Sequence, residues 1–136
     1  MQFVNMNLTQ FKDMVKRGNK FHAKKTVVDG IKFDSKFESQ EWQRLCLLEK
    51  SGKISNLQRQ VKFILQDGYT NNQGKKIKPI YYYADFQYID NEGKIIVEDT
   101  KSPATKTEAF KIKKKLFEYR FPEYIFIEKY KNSSNN

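Results

Sequence analysis

Residues 80–101 read IYYYADFQYIDNEGKIIVEDTK. Apolar and aromatic side chains dominate two runs, residues 80–89 and 94–101, which is typical of β-strands. The DNEG sequence between them, at residues 90–93, is typical of a tight turn. The stretch therefore predicts two neighbouring antiparallel strands joined by a hairpin.

The polar residues of this hairpin fall into two groups, because side chains two apart on a strand share a face. Asp85 lies on the first strand. On the second, Asp99 and Lys101 share a face and Glu98 points to the other side, so we expect both aspartates to converge with the lysine. Carboxylates in an apolar sheet are costly to desolvate unless they are neutralised, and a divalent cation does this well. The alternative is an Asp99–Lys101 ion pair on an exposed strand.

Further elements follow from hydrophobic periodicity. The sequence predicts helices at residues 7–18, 35–52 and 106–120, and strands at residues 57–66 and 124–128. The resulting order, two helices, three strands, a helix and a strand, indicates an α/β domain with a mixed sheet flanked by helices and an extra N-terminal helix.

The segments between these elements are predicted from the lack of a clear period. Residues 19–30 are interpreted as a basic arm, and residues 67–78 as a polar loop. The domain plan is an N-terminal helix and arm at 1–34, a core at 35–130 and a disordered tail at 131–136. On the last helix, Ala109, Ile112 and Leu116 are predicted to line the buried face.

The helix predicted at residues 35–52 offers a further carboxylate. Ser35 followed by Glu38 three residues later is a capping-box signature. Helical geometry also places Glu38 near the middle of the apolar face, toward the sheet. Capping and chemistry are compatible roles for it, and Glu41 is the substitute candidate.

Composition narrows the class of protein. The chain has 136 residues, one cysteine and a formal charge of +10, from 26 basic and 16 acidic side chains. One domain is expected, without disulfides or membrane helices, in a reducing cytoplasm. The basic excess favours a polyanion such as DNA as the partner.

Two lysine-rich segments are the candidate phosphate contacts, and the alternative for each is an ordinary solvated surface. The candidate DNA-binding residues are Lys20, Lys24, Lys25, Lys106, Lys111, Lys113 and Lys114.

Ala84-Asp85 followed, after thirteen residues, by Asp99-Thr100-Lys101 resembles the PD-(D/E)xK nuclease signature. The order of elements over about residues 35–128 resembles the αβββαβ restriction-endonuclease-like core of that superfamily. More narrowly, NKFHAKKTVVDGIKFDSKFES, KISNLQRQVKF, ADF and VEDTK resemble a family of small, functionally unassigned phage and prophage proteins placed in the superfamily.

The resemblance implies roles for individual residues. Asp85, Asp99 and the main-chain carbonyl of Thr100 would bind Mg²⁺, with Mn²⁺ able to substitute. Lys101 would orient the attacking water or stabilise the charge on phosphorus. Glu38 would complete the catalytic and metal-binding set, as in junction-resolving members.

These observations lead us to expect a metal-dependent endodeoxyribonuclease of phage origin that acts in the host cytoplasm. Branched DNA such as Holliday junctions is the expected substrate, and a homodimer is expected because resolvases cut two strands symmetrically. The alternatives are a non-catalytic DNA-binding module and a sequence-specific restriction-type nuclease.

Overall fold

A computed structural model describes residues 25–131, apart from the side chain of Pro103. Its elements, in chain order, are β1 (Thr26–Val28), β2 (Ile31–Phe33), α1 (Lys36–Lys50), β3 (Ser55–Gln66), β4 (Tyr69–Thr70), β5 (Lys76–Ile77), β6 (Ile80–Ile89), β7 (Ile95–Lys101), a 3₁₀ turn (Pro103–Thr105), α2 (Glu108–Arg120) and β8 (Tyr124–Tyr130). The predicted helix at 7–18, together with Lys20, Lys24 and residues 132–136, lies outside this description.

The main sheet is four-stranded and mixed, in the order β3-β6-β7-β8. β6 pairs antiparallel with both β3 and β7, whereas β7 and β8 are parallel. The parallel pair follows from the connection through α2, since parallel neighbours need a crossover. The predicted mixed α/β architecture and the hairpin between β6 and β7 are confirmed.

Helix α1 begins where the sequence predicts. The Ser35 hydroxyl accepts a 3.0 Å hydrogen bond from the main-chain N–H of Glu38, which satisfies one of the free donors at the helix start. Leu45, fully buried, packs with Phe86 and Ile96 from the sheet. The apolar side of α1 therefore covers one face of β6 and β7.

Helix α2 buries a different side from the one predicted. Phe110 and Phe117 are buried, whereas Ile112 is 58% exposed and Ala109 also faces solvent. Leu116 is partly buried and packs at the edge of the core. The prediction was wrong because it aligned the aliphatic residues, whereas the larger aromatic rings bury more apolar area and set the rotation of the helix.

Aromatic rings from the sheet and from α2 form the core beneath that helix. Phe117 meets Phe63 edge to face at a centroid distance of 4.9 Å, and Tyr82 and Phe126 pack around it at 5.8 and 5.4 Å. Edge-to-face packing suits the ring quadrupoles and adds to the gain from burial.

Two segments predicted to be irregular are hairpins. In the described part of the basic arm, β1 pairs with β2 across a turn at Asp29-Gly30, both with positive φ. In the predicted polar loop, β4 pairs with β5. Both pairs are two or three residues long, too short for a period of two to stand out in the sequence.

Phe117→Ala is expected to lower the free energy of unfolding by about 3–5 kcal/mol, because it leaves a cavity among packed rings. Tyr119→Ala, on the same helix, is the matched control, since Tyr119 is 90% exposed. It should change stability by less than about 0.5 kcal/mol. Urea unfolding measures both, and equal losses would contradict the assignment of Phe117 to the core.

Candidate functional site

The hydrogen-bonded ladder between β6 and β7 stops short of the end of both strands. It runs from the pair Ile89 and Ile95 to the pair Phe86 and Glu98. Beyond that point the Asp85 carboxylate accepts two hydrogen bonds from Thr100, from the main-chain N–H at 2.7 Å and from the hydroxyl at 2.8 Å. A side chain thus takes the place of a main-chain partner where the strands separate.

Asp99 and Lys101 lie on the β7 side of this separation. The Lys101 Nζ atom is 2.8 Å from Asp99 Oδ2, and both side chains are largely buried. The same ammonium group lies 3.8 Å from the centre of the Phe110 ring. A cation over an aromatic face is stabilised by the ring quadrupole, which together with Asp99 fixes the Lys101 side chain in place.

Glu38 approaches the site from α1. It is 3% exposed, and its Oε1 atom accepts a 3.3 Å hydrogen bond from the Gln60 amide on β3. Burial, followed by the nearby negative charge of Asp34, raises the pKa of Glu38 to about 7, against a smaller lowering by Arg59.

The three carboxyl groups influence one another electrostatically. Burial raises the pKa of Asp85 well above its ordinary value, and the charges of Glu38 and Asp99 raise it further. The hydrogen bonds from Thr100 act in the opposite direction. Asp85 is bonded to Thr100 and Asp99 is paired with Lys101, on adjacent residues of β7, and of the two helix carboxylates it is Glu38 whose charge acts on both aspartates.

A second buried acidic pair lies apart from the first. The Glu98 carboxyl, fully buried, accepts a hydrogen bond from the Tyr88 hydroxyl. Glu41 lies against Glu98 and is held by Arg44 through two 2.7 Å hydrogen bonds. Glu98 therefore lies on the other face of β7 from Asp99, as the alternation of the strand predicts.

The two members of this second pair have opposite pKa shifts. Burial would raise the pKa of Glu41, but the hydrogen bonds and charge of Arg44, the contact with Glu98 and the charge of Lys129 together outweigh it, and the pKa is lowered. Burial and the contact with Glu41 raise the pKa of Glu98 to about 8. The raised pKa favours the protonated form of Glu98 beside the Glu41 carboxylate.

Sequence reasoning missed Gln60. It has a positive φ of 53°, which is uncommon for a residue with a side chain. It lies on β3 between the register pairs Arg59 with Phe86 and Val61 with Ala84, and therefore faces the Asp85 position. In the sequence it is one of several polar residues that alternate along the strand, and no local signal distinguishes it.

Most of the described lysines that are predicted to contact DNA form ion pairs within the domain. Lys25 lies 3.9 Å from Asp34 and its side chain is only 13% exposed. Three more of these lysines have acidic partners: Lys111 lies 3.0 Å from Glu108, and Lys106 and Lys114 each lie 3.6 Å from Glu128. Lys113 is partly buried on α2. Four of the predicted contacts therefore already have acidic partners within the domain.

The spacing of the acidic side chains bears on metal binding. Within residues 25–131, no three acidic, histidine or cysteine side chains are grouped closely enough to hold a metal ion. In this structure the Asp85 carboxylate is hydrogen-bonded to Thr100 and that of Asp99 is paired with Lys101.

Comparison with known proteins gives one match. A family model described as "Protein of unknown function (DUF1064)" matches residues 18–133, which is most of the chain. The chain belongs to the DUF1064 family. No curated protein and no solved structure matches it. The two helices that the structure describes are both too short and too polar to cross a membrane.

The free energy of unfolding is expected to depend on pH through the buried carboxyl of Glu98. An unfolded chain releases this proton near its ordinary pKa of 4.5, and the folded protein holds it until about pH 8. The free energy of unfolding attributable to this group therefore falls as pH rises from about 4.5 to about 8. Glu98→Gln keeps a neutral side chain, so its stability should fall less over this range.

Urea unfolding at several pH values across that interval measures the effect. Glu92→Gln is the control, because the Glu92 side chain is 67% exposed in the turn between β6 and β7. The control should lose free energy of unfolding with rising pH as steeply as the wild type does. If Glu98→Gln loses it just as steeply, Glu98 is not protonated in the folded protein.

Proposed function

We propose that this protein is a metal-dependent endodeoxyribonuclease whose site lies where β6 and β7 separate. The observation that carries the proposal is the arrangement of Asp85, Asp99 and Lys101 at that point, with Glu38 buried beside them. Perturbed carboxyl groups clustered with one lysine are typical of functional sites. The order of α1, β3, β6, β7, α2 and β8 also agrees with the order that the PD-(D/E)xK resemblance implies.

The donor set suits a hard divalent cation. The carboxylates of Asp85, Asp99 and Glu38 and the carbonyl of Thr100 are oxygen ligands, which Mg²⁺ and Mn²⁺ prefer. Burial and, to a smaller extent, the neighbouring negative charges raise the pKa values of Asp85 and Glu38, and a bound cation would stabilise their charged forms. Binding requires Asp99 to share its carboxylate between Lys101 and the metal, and requires the three carboxyl groups to move closer together than they lie in this structure.

The chemistry would be hydrolysis of a phosphodiester bond. The attacking water loses a proton as its oxygen forms a bond to phosphorus, the bond to the leaving oxygen breaks, and that oxygen takes up a proton. When bound, the metal supplies an activated water and balances charge on the phosphate. Lys101, held by Asp99 and Phe110, presents a fixed positive charge that stabilises charge developing on the phosphate oxygens.

Branched DNA, as in Holliday junctions, is the proposed substrate, because the family-level resemblance points to junction-resolving enzymes. A homodimer acting on two strands fits that proposal. The runner-up is a non-catalytic DNA-binding module, which the closed Asp99–Lys101 ion pair favours.

Asp85→Asn and Lys101→Ala should separate metal binding from stabilisation of the transition state. Asp85→Asn should abolish cleavage and weaken Mn²⁺ binding, since it removes a ligand carboxylate. Lys101→Ala should keep Mn²⁺ binding while the single-turnover rate falls on the order of 10²–10³-fold. Calorimetric titration with Mn²⁺ and single-turnover cleavage of a four-way junction measure the two effects.

Glu92→Gln and Lys94→Ala, at the opposite end of β6, are the matched controls and should cut at the wild-type rate. Single-stranded, duplex, flap and four-way-junction DNA, each with Mg²⁺ and with EDTA, complete the panel. Binding of these DNAs without cleavage of any would leave the DNA-binding module as the better account. Equal cleavage by all variants would remove the site from its proposed role.

A further inference from the structure

We propose that the hairpin of β4 and β5 is a DNA-binding surface that contacts the phosphate backbone beside the cleavage site. This hairpin, residues 67–79, is called the arm from this point on and is distinct from the basic arm predicted at residues 19–30. This inference rests on the proposed function and adds to it a contact surface outside the acidic cluster.

The tip of the arm is a well-formed turn. The Asn71 side-chain oxygen accepts hydrogen bonds from the main-chain N–H groups of Gln73 and Lys75, both at 3.0 Å. Gly74 has a φ of +78°, which a residue with a side chain would adopt only under strain. These contacts fix the backbone of the tip, so the side chains of the arm are displayed from a defined scaffold.

The base of the arm is held against the domain. A Cβ atom on Gly68 would lie 2.9 Å from the main-chain oxygen of Ile77, so only glycine allows the two strands to approach this closely. From α2, Arg120 reaches the Leu65 carbonyl at 3.4 Å and Asp67 at 3.5 Å. The direction in which the arm leaves the sheet is therefore set by the fold.

Two lysines of α2, Lys111 and Lys114, form ion pairs, whereas the three lysines of the arm form none within the described residues. Lys75, Lys76 and Lys78 are exposed, and no acidic side chain within residues 25–131 forms an ion pair with any of them. Tyr69, on the opposite strand, is 52% exposed. Lysines without internal partners neutralise phosphates at no cost in broken ion pairs, and an exposed ring beside them can pack against sugar or base.

The arm also lies on the side toward which the site opens. β6 and β7 are hydrogen-bonded to each other from the pair Phe86 and Glu98 up to the turn at 90–94. At Asp85, toward the start of β6, the two strands separate. The start of β6, at Ile80, follows the arm directly in the chain. Five residues of strand span about 17 Å, which equals about five base pairs along a duplex. A DNA backbone held at the site can therefore reach the arm.

The test compares two double variants that each remove two positive charges. Lys75→Ala with Lys76→Ala changes the arm, and Lys53→Ala with Lys94→Ala changes exposed lysines at the opposite end of the sheet. Lys94 matches Lys75 in its position in the turn, because DNEGK at 90–94 and NNQGK at 71–75 form turns of the same kind, and it differs in its 3.1 Å ion pair with Glu92. Binding of four-way-junction and duplex DNA is measured in EDTA over a range of salt concentrations.

The arm variant should bind DNA more weakly, and the slope of log K against log salt should fall by about 2, close to one counterion for each lost phosphate contact. The control should keep the wild-type slope, and both variants should keep the wild-type melting temperature. Equal behaviour of the two variants, with DNA binding and cleavage intact in the wild type, would overturn the role of the arm and leave the nuclease proposal standing. Absence of DNA binding by the wild-type protein would overturn both.

Discussion

The contact between Asp85 and Thr100 organises the candidate site. By accepting both the main-chain N–H and the hydroxyl of Thr100, the Asp85 carboxylate satisfies a donor that the ladder no longer pairs. The separation of β6 and β7 is thereby stabilised without leaving a buried amide unpaired. It also places Asp85 beside the part of β7 that carries the Asp99–Lys101 ion pair, so strand geometry and site chemistry depend on one side chain.

Strand alternation then divides the acidic residues into two groups with different chemistry. Asp99 faces the cluster at the separation, whereas its neighbour Glu98 faces α1 and contacts Glu41. Arg44 compensates the charge of Glu41 through two hydrogen bonds, and the Glu98 carboxyl lies against Glu41. That arrangement is structural, because it links α1 to β7. In the first group, by contrast, burial leaves Asp85 and Glu38 with raised pKa values that a cation would lower.

The features of the fold that depend on neighbouring residues in the chain could be predicted from the sequence. The turn at 90–94, the helix start at Ser35 and the shared face of Asp99 and Lys101 follow from residue type and spacing alone. The rotation of α2 did not follow, because packing of Phe117 among rings from distant strands decides it. The turn at 71–75 carries the same signal as the turn at 90–94, but its flanking strands are only two residues long. Gln60 acquires its contact with Glu38 through tertiary structure, which no spacing in the sequence encodes.

The most direct test of the metal-dependent site is to locate Mn²⁺ in crystals of the wild-type protein by its anomalous scattering. The account predicts one strong peak within coordination distance of Asp85 and Asp99, with the Lys101 ammonium still beside the cluster. It also predicts loss of that peak in crystals of the Asp85→Asn variant. A well-ordered site without an anomalous peak at saturating Mn²⁺, or a peak at Glu41 and Glu98 alone, would contradict it.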